Sequence, residues 1–115
     1  MLKNRRGART GTYSRSAPRL IKRSMSLVGS GERIRIVIGD AHSSERLELT
    51  RLLFTQPDID VIGVASDGEQ ALRLLRELRP NVALLDEDLP SFGGSAVARI
   101  LRSELPDVRV MVLRN

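Results

Sequence analysis

Leu84-Leu85-Asp86-Glu87-Asp88-Leu89-Pro90, followed by Gly93-Gly94, is the stretch that decides the fold of this chain. A short apolar run ends abruptly in a carboxylate and then turns. In an open parallel sheet, ligands bind just outside the carboxyl ends of the strands. Asp86 would stand there. An earlier run, Ile34-Arg35-Ile36-Val37-Ile38-Gly39-Asp40, ends in the same way. Two strand-end carboxylates on neighbouring strands make a small anionic pit. Such a pit suits a divalent cation with hard oxygen ligands. It equally suits a carboxylate nucleophile that receives a phosphoryl group.

Outward from these two runs, strand and helix signals alternate. The first strand spans residues 34–39. Ser43 and Ser44 can cap a helix running to about Thr55, with Glu45 and Glu48 favourably placed near its positive end. Its Leu49, Leu52 and Leu53 recur at helical spacing, and Gln56-Pro57-Asp58 stops it. Residues 60–66 read as a second strand. Asp67 and Gln70 then resemble a capping box opening a helix that carries Ala71, Leu72, Leu75 and Leu78 on one face and ends at Pro80. Residues 82–85 form the third strand, 95–105 the third helix, with Pro106 after it, and 108–113 the fourth strand. Gly93-Gly94 serves the turn into the third helix, where glycine would permit a positive φ. The order βαβαβαβ, with strands apolar almost throughout, predicts a parallel α/β sheet covered by helices on both faces.

Composition excludes several classes. There is no cysteine, hence neither a disulfide framework nor a thiolate metal site. The one histidine, His42, rules out a multi-histidine metal site and reads as an exposed loop residue. No apolar run reaches the roughly 20 residues of a membrane span. The few aromatics argue against stacking platforms for single-stranded nucleic acid. The net charge of +5 is unevenly spread. Residues 1–31 hold eight Lys/Arg and no acid, while the remainder holds 11 Arg against 14 acids. Residues 1–33 therefore read as a basic, disordered N-terminal arm. The arm could touch nucleic acid or acidic lipid non-specifically through its charge. Its composition also matches a transit peptide, or sequence upstream of a start at Met25. Both lysines, Lys3 and Lys22, lie in the arm.

From residue 34 to the end, the chain resembles a response-regulator receiver domain. It is nearest to the kind that precedes a helix-turn-helix DNA-binding domain. The resemblance rests on Ile36-Val37-Ile38-Gly39-Asp40-Ala41-His42 and on Gln56-Pro57-Asp58-Ile59-Asp60-Val61-Ile62-Gly63. It rests further on Ala65-Ser66-Asp67-Gly68-Glu69-Gln70-Ala71-Leu72, on Leu84-Leu85-Asp86 with Pro90 and Gly94, and on Leu105-Pro106-Asp107-Val108-Arg109-Val110. Each piece is weak alone; together and in order they are specific. The resemblance implies a flavodoxin-like sheet of order 2-1-3-4-5, here ending after the fourth strand. It implies a cytoplasmic signalling module, not an enzyme, whose Asp86 takes a phosphoryl group from a sensor histidine kinase. It implies Mg²⁺ held by Asp40, Asp86 and the backbone carbonyl of Asp88.

Three departures from the family pattern bear on this. Ala41 stands where a second strand-end acid is usual, which should weaken Mg²⁺ unless Asp88 substitutes. Arg114 occupies the phosphate-site switch position, where a small hydroxyl residue is expected; it could pair with phosphate or with Asp86. The fifth strand, its lysine and the DNA-binding output domain are not in the sequence. That would leave the fourth strand as an open edge, inviting strand addition or a dimer, on a face lacking a covering helix. Two alternatives stay open. One is a pseudo-receiver that binds partners without phosphorylation. The other follows from Asp86-Glu87-Asp88, which also resembles the nucleophile motif of haloacid-dehalogenase-type phosphatases. That reading needs a downstream lysine and a later acidic pair, and the sequence has neither.

Overall fold

Side chains alternate across the strands, and this alternation sorts the core into two layers. A computed structural model of the chain describes residues 14–24 and 32–114. Its elements are α1 (Ser14–Ser24), β1 (Ile34–Gly39), α2 (Ser43–Phe54), β2 (Ile59–Ala65), α3 (Gly68–Leu78), β3 (Val82–Asp86), α4 (Gly94–Glu104) and β4 (Arg109–Leu113). The strands form one sheet of order β2-β1-β3-β4, parallel throughout. Ile34, Ile36 and Ile38 of β1 and Val82 and Leu84 of β3 face one layer, with Leu49 and Leu53 of α2. Val37, Ala83 and Leu85 face the other, with Ala71, Leu72 and Leu75 of α3 and Val97 and Leu101 of α4. The expected α/β architecture, with helices on both faces, is what the chain adopts. Leu84 is fully buried. Leu84→Ala should cost about 2–5 kcal/mol, measured by urea denaturation, because the cavity cannot fully collapse.

Local chemistry fixes the joints. Asp67 caps α3 by accepting from Gln70 N at 2.7 Å. Gln70 Oε1 reaches back to Ser66 N at 2.9 Å, one residue beyond the position a strict capping box would use. The same helix ends at Arg79 with φ 46. Its last carbonyls, Leu78 O and Arg79 O, accept from the Arg35 guanidinium at 3.0 and 3.2 Å. A cation there also suits the negative end of the helix. Arg76 pairs in bidentate fashion with Glu104, tying α3 to α4. The hydrogen bond from Arg76 holds the Glu104 carboxyl below its usual range. Its small contribution is therefore present above the ordinary carboxylate pKa and lost as pH falls through the lowered one.

Residues 14–24 depart from the expectation of an unstructured arm. They form α1, whose Ala17 and Ile21 are fully buried in the cluster of β1, β3 and α2, with Leu20 packed beside them. Spacing explains it: positions 17, 20 and 21 fall on one helical face. Lys22 fastens the helix to the turn after α2, with Nζ at 2.8 Å from Gln56 Oε1 and 3.1 Å from Asp58 Oδ1. The sheet face expected to lack a covering helix is thus covered in part by α1. The rest of the predicted arm, residues 1–13 and 25–31, lies outside the described residues, as does most of the region expected to contact nucleic acid.

Candidate functional site

Asp40 and Asp86 reach the same place because β1 and β3 are neighbours in register. Gly39 pairs with Leu85, so the next residue of each chain segment stands at the carboxyl end of the sheet. Both carboxylates are fully buried. Asp86 Oδ1 accepts from the Asp88 backbone N–H at 2.9 Å. Asp40 Oδ1 accepts from the His42 N–H, also at 2.9 Å. Both contacts link residues i and i+2, so each carboxylate is held by the loop it starts. Arg46 Nη1 holds the Asp40 carbonyl at 2.6 Å.

Two residues join the pit that the sequence reading did not place there. The N-cap of α2 is His42 rather than Ser43 or Ser44. Its side chain is 54% exposed, as a loop residue would be, yet Nδ1 is turned inward. That nitrogen lies 3.3 Å from Asp40 Oδ1, 3.2 Å from Glu45 Oε1 and 3.9 Å from Asp86 Oδ2. Glu45, read from sequence only as an acid favourable to the helix dipole, is 8% exposed and belongs to the same group. The ligand atoms of Asp40, His42, Glu45 and Asp86 all lie within 4.8 Å of one another. The carboxylate that Ala41 fails to supply is therefore supplied one helical turn later, by Glu45. Asp88, the expected substitute, keeps its side chain exposed and contributes its amide.

The loop after Asp86 is shaped by contact more than by backbone freedom. Gly93 has φ −77, so no positive φ requires glycine there. The reason is space: a Cβ on Gly93 would sit 1.9 Å from Glu87 O. The left-handed residue of the loop is Ser91, at φ 73. Glu87 N–H donates to Leu113 O at 2.8 Å, and Glu87 Oε1 accepts from Ser95 N at 2.7 Å at the start of α4. Arg114, one residue past β4, donates from Nη2 to Ser95 Oγ at 3.2 Å. The hydroxyl that the switch position lacks thus lies beside it, on α4.

A family model described as the response regulator receiver domain matches residues 36–114. The chain belongs to the response-regulator receiver family. This receiver is 40% identical over 81 residues to the response regulator GacA of Pseudomonas aeruginosa, covering 70% of the chain and 37% of the relative. It is 41% identical over 83 residues to the transcriptional regulatory protein NarL of Mycobacterium tuberculosis, covering 71% and 38%. Its fold is similar to the solved signal receiver domain of that NarL, with TM-score 0.70 and 37% identity over 72% of this chain and 67% of the other. The receiver spans well under half the length of these curated relatives. α1 lies outside the matched residues.

Proposed function

We propose that this receiver accepts a phosphoryl group on Asp86 from the phosphohistidine of a sensor kinase and passes the change of state to an output. The observation that carries the reading is the burial of Asp86 at the end of β3 directly beside Asp40. In the transfer an Asp86 carboxylate oxygen forms a bond to phosphorus while the phosphorus–nitrogen bond of the donor imidazole breaks. The product is an acyl phosphate and a free imidazole. The family implies a divalent cation such as Mg²⁺, and the donor set fits one. Asp40, Asp86 and Glu45 offer hard carboxylate oxygens, and the family pattern would add the Asp88 backbone carbonyl. When bound, such an ion neutralises charge on the incoming phosphoryl group.

The chain's own residues do the rest. The Asp88 amide holds Asp86 Oδ1 in place and leaves Oδ2 turned toward His42. The Arg114 guanidinium, on Ser95, stands at the switch position, where it would pair with a phosphoryl oxygen once Asp86 is modified. That pairing would pull the end of β4 and the start of α4 toward the site. The module is regulatory, not an enzyme in its own right, and works in the cytoplasm with its kinase. Among the described residues no helix is long and apolar enough to cross a membrane.

The test is intact mass after incubation with acetyl phosphate and Mg²⁺. The wild type should gain one phosphoryl group and Asp86→Asn none. No gain, in a sample that melts cooperatively, would sink the phosphoacceptor reading and leave a module that binds partners unmodified.

A further inference from the structure

We propose that the outward face of α1 binds the phosphate backbone of a double-stranded nucleic acid, without base specificity. Charge on this helix is sorted by face. Ala17, Pro18 and Ile21 are buried, whereas Arg19 and Arg23 are exposed. Arg15, Arg19 and Arg23 are four apart in sequence, so their positions recur along one stripe, about 6 Å from one to the next. Residues 32–115 mix both signs, with 11 Arg against 14 acids, but residues 1–31 hold eight Lys/Arg and no acid. Helix stability does not account for this. Lys22 and Arg23 suit the negative end of the helix, but Arg15 is its second residue, where the helix dipole disfavours a cation. Fastening the helix uses Lys22, which is turned to Gln56 and Asp58.

The packing of α1 decides which polyanion it fits. A lipid surface takes a basic amphipathic helix by its apolar side. Here that side is occupied, because Ala17 and Ile21 lie in the core layer of β1, β3 and α2. Membrane binding would have to undock α1, whereas phosphate binding leaves it in place. A single strand is held largely by bases stacked on aromatic rings. Residues 1–31 contain one aromatic, Tyr13. A duplex offers instead a dense row of charge, one per about 1.7 Å of its axis, and cations that neutralise it release condensed counterions. Arginine suits this partner, since its planar guanidinium can hold a phosphate by two parallel hydrogen bonds. The docked helix presents these cations from a fixed surface. That surface lies outside residues 36–114, the part matched to the receiver family, and does not involve Asp86.

Fluorescence anisotropy of a labelled DNA duplex of about 20 base pairs, titrated with the full chain over a series of salt concentrations, tests this. The logarithm of the affinity should fall linearly with that of the salt concentration, and a duplex of unrelated sequence should bind within about threefold. Arg19→Ala combined with Arg23→Ala should weaken binding at least about tenfold and make the salt slope shallower by about 2, with an unchanged melting point. Arg73→Ala combined with Arg99→Ala, at exposed positions of α3 and α4, should change neither. A slope untouched by the α1 pair, or lowered equally by the other pair, overturns the inference. So does binding of the unpaired strand as tight as that of the duplex. Binding to vesicles of phosphatidylcholine and phosphatidylserine, with none to the duplex, overturns it too. Asp86→Asn should bind the duplex as the wild type does. Loss of phosphoryl gain therefore sinks the functional reading alone, and loss of duplex binding sinks this inference alone.

Discussion

Ile21→Asp should lower the midpoint of thermal unfolding by about 15 °C, the equivalent of about 3 kcal/mol for a domain of this size. Ile21 is fully buried in the layer of β1, β3 and α2. Removing a large aliphatic side chain from such a site costs about 2–5 kcal/mol. An unpaired carboxylate adds a desolvation penalty. The chain has one escape, which is to undock α1. That caps the loss at the docking free energy of the helix, but it bares Leu49, Leu53 and Ile36. Either route lowers the melting point, read by circular dichroism at 222 nm. Arg19→Asp, on the exposed side of the same helix, is the control and should leave it nearly unchanged. A fall of only a degree or two for Ile21→Asp would mean that α1 contributes nothing to the core.

Gly93→Ala should be nearly as damaging and should damage the site as well. The new Cβ would meet Glu87 O at 1.9 Å and Glu87 C at 2.9 Å, both backbone atoms. Something must shift, and the loop that shifts carries the Glu87–Leu113 and Glu87–Ser95 hydrogen bonds. Overpacking of this kind costs about 1–3 kcal/mol, and each lost hydrogen bond about 1 kcal/mol more. The Asp88 amide that orients Asp86 belongs to the same loop. Phosphoryl gain from acetyl phosphate should therefore drop at least tenfold, roughly, in a protein that is still folded. Gly63→Ala provides the contrast. There the nearest atoms are the flexible tips of Leu78 and Leu74, at 3.2 and 3.4 Å. It should cost less than about 1 kcal/mol. Equal stability and activity of the two variants would show that the Gly93 contact is not what shapes the loop.

The strands were legible because apolar runs ending in Asp40 and Asp86 leave little choice of direction or register. β1 begins and ends where its β-branched run does, β3 and β4 differ from expectation by a residue at one end, and β2 is shifted by one residue at both. The pair Asp40 and Asp86 was legible for the same reason. His42 and Glu45 were not, because their place depends on where α2 starts. Had Ser43 or Ser44 been the cap, the first turn would have rotated and carried both side chains elsewhere. The usable signal was the spacing of three between a histidine at the cap and an acid in the first turn. α1 was hidden by its content, since Pro18 and several basic residues surround only three core-facing side chains. The glycine pair was read for its torsions, whereas crowding against Glu87 is a tertiary fact that no local pattern reports.

The burial of Ala17 and Ile21 in one cluster with Leu113 has a kinetic side. α1 shares its core with β4, a strand made some 90 residues after it. α1 can meet α2 early, a contact that closes a short loop. The layer is finished only when a loop of some 90 residues closes around it, at an entropic cost that grows slowly with length but delays the step. Until then the nascent chain holds a helical pair with one apolar side in water. Such a chain should depend on holdase chaperones during synthesis far more than after it.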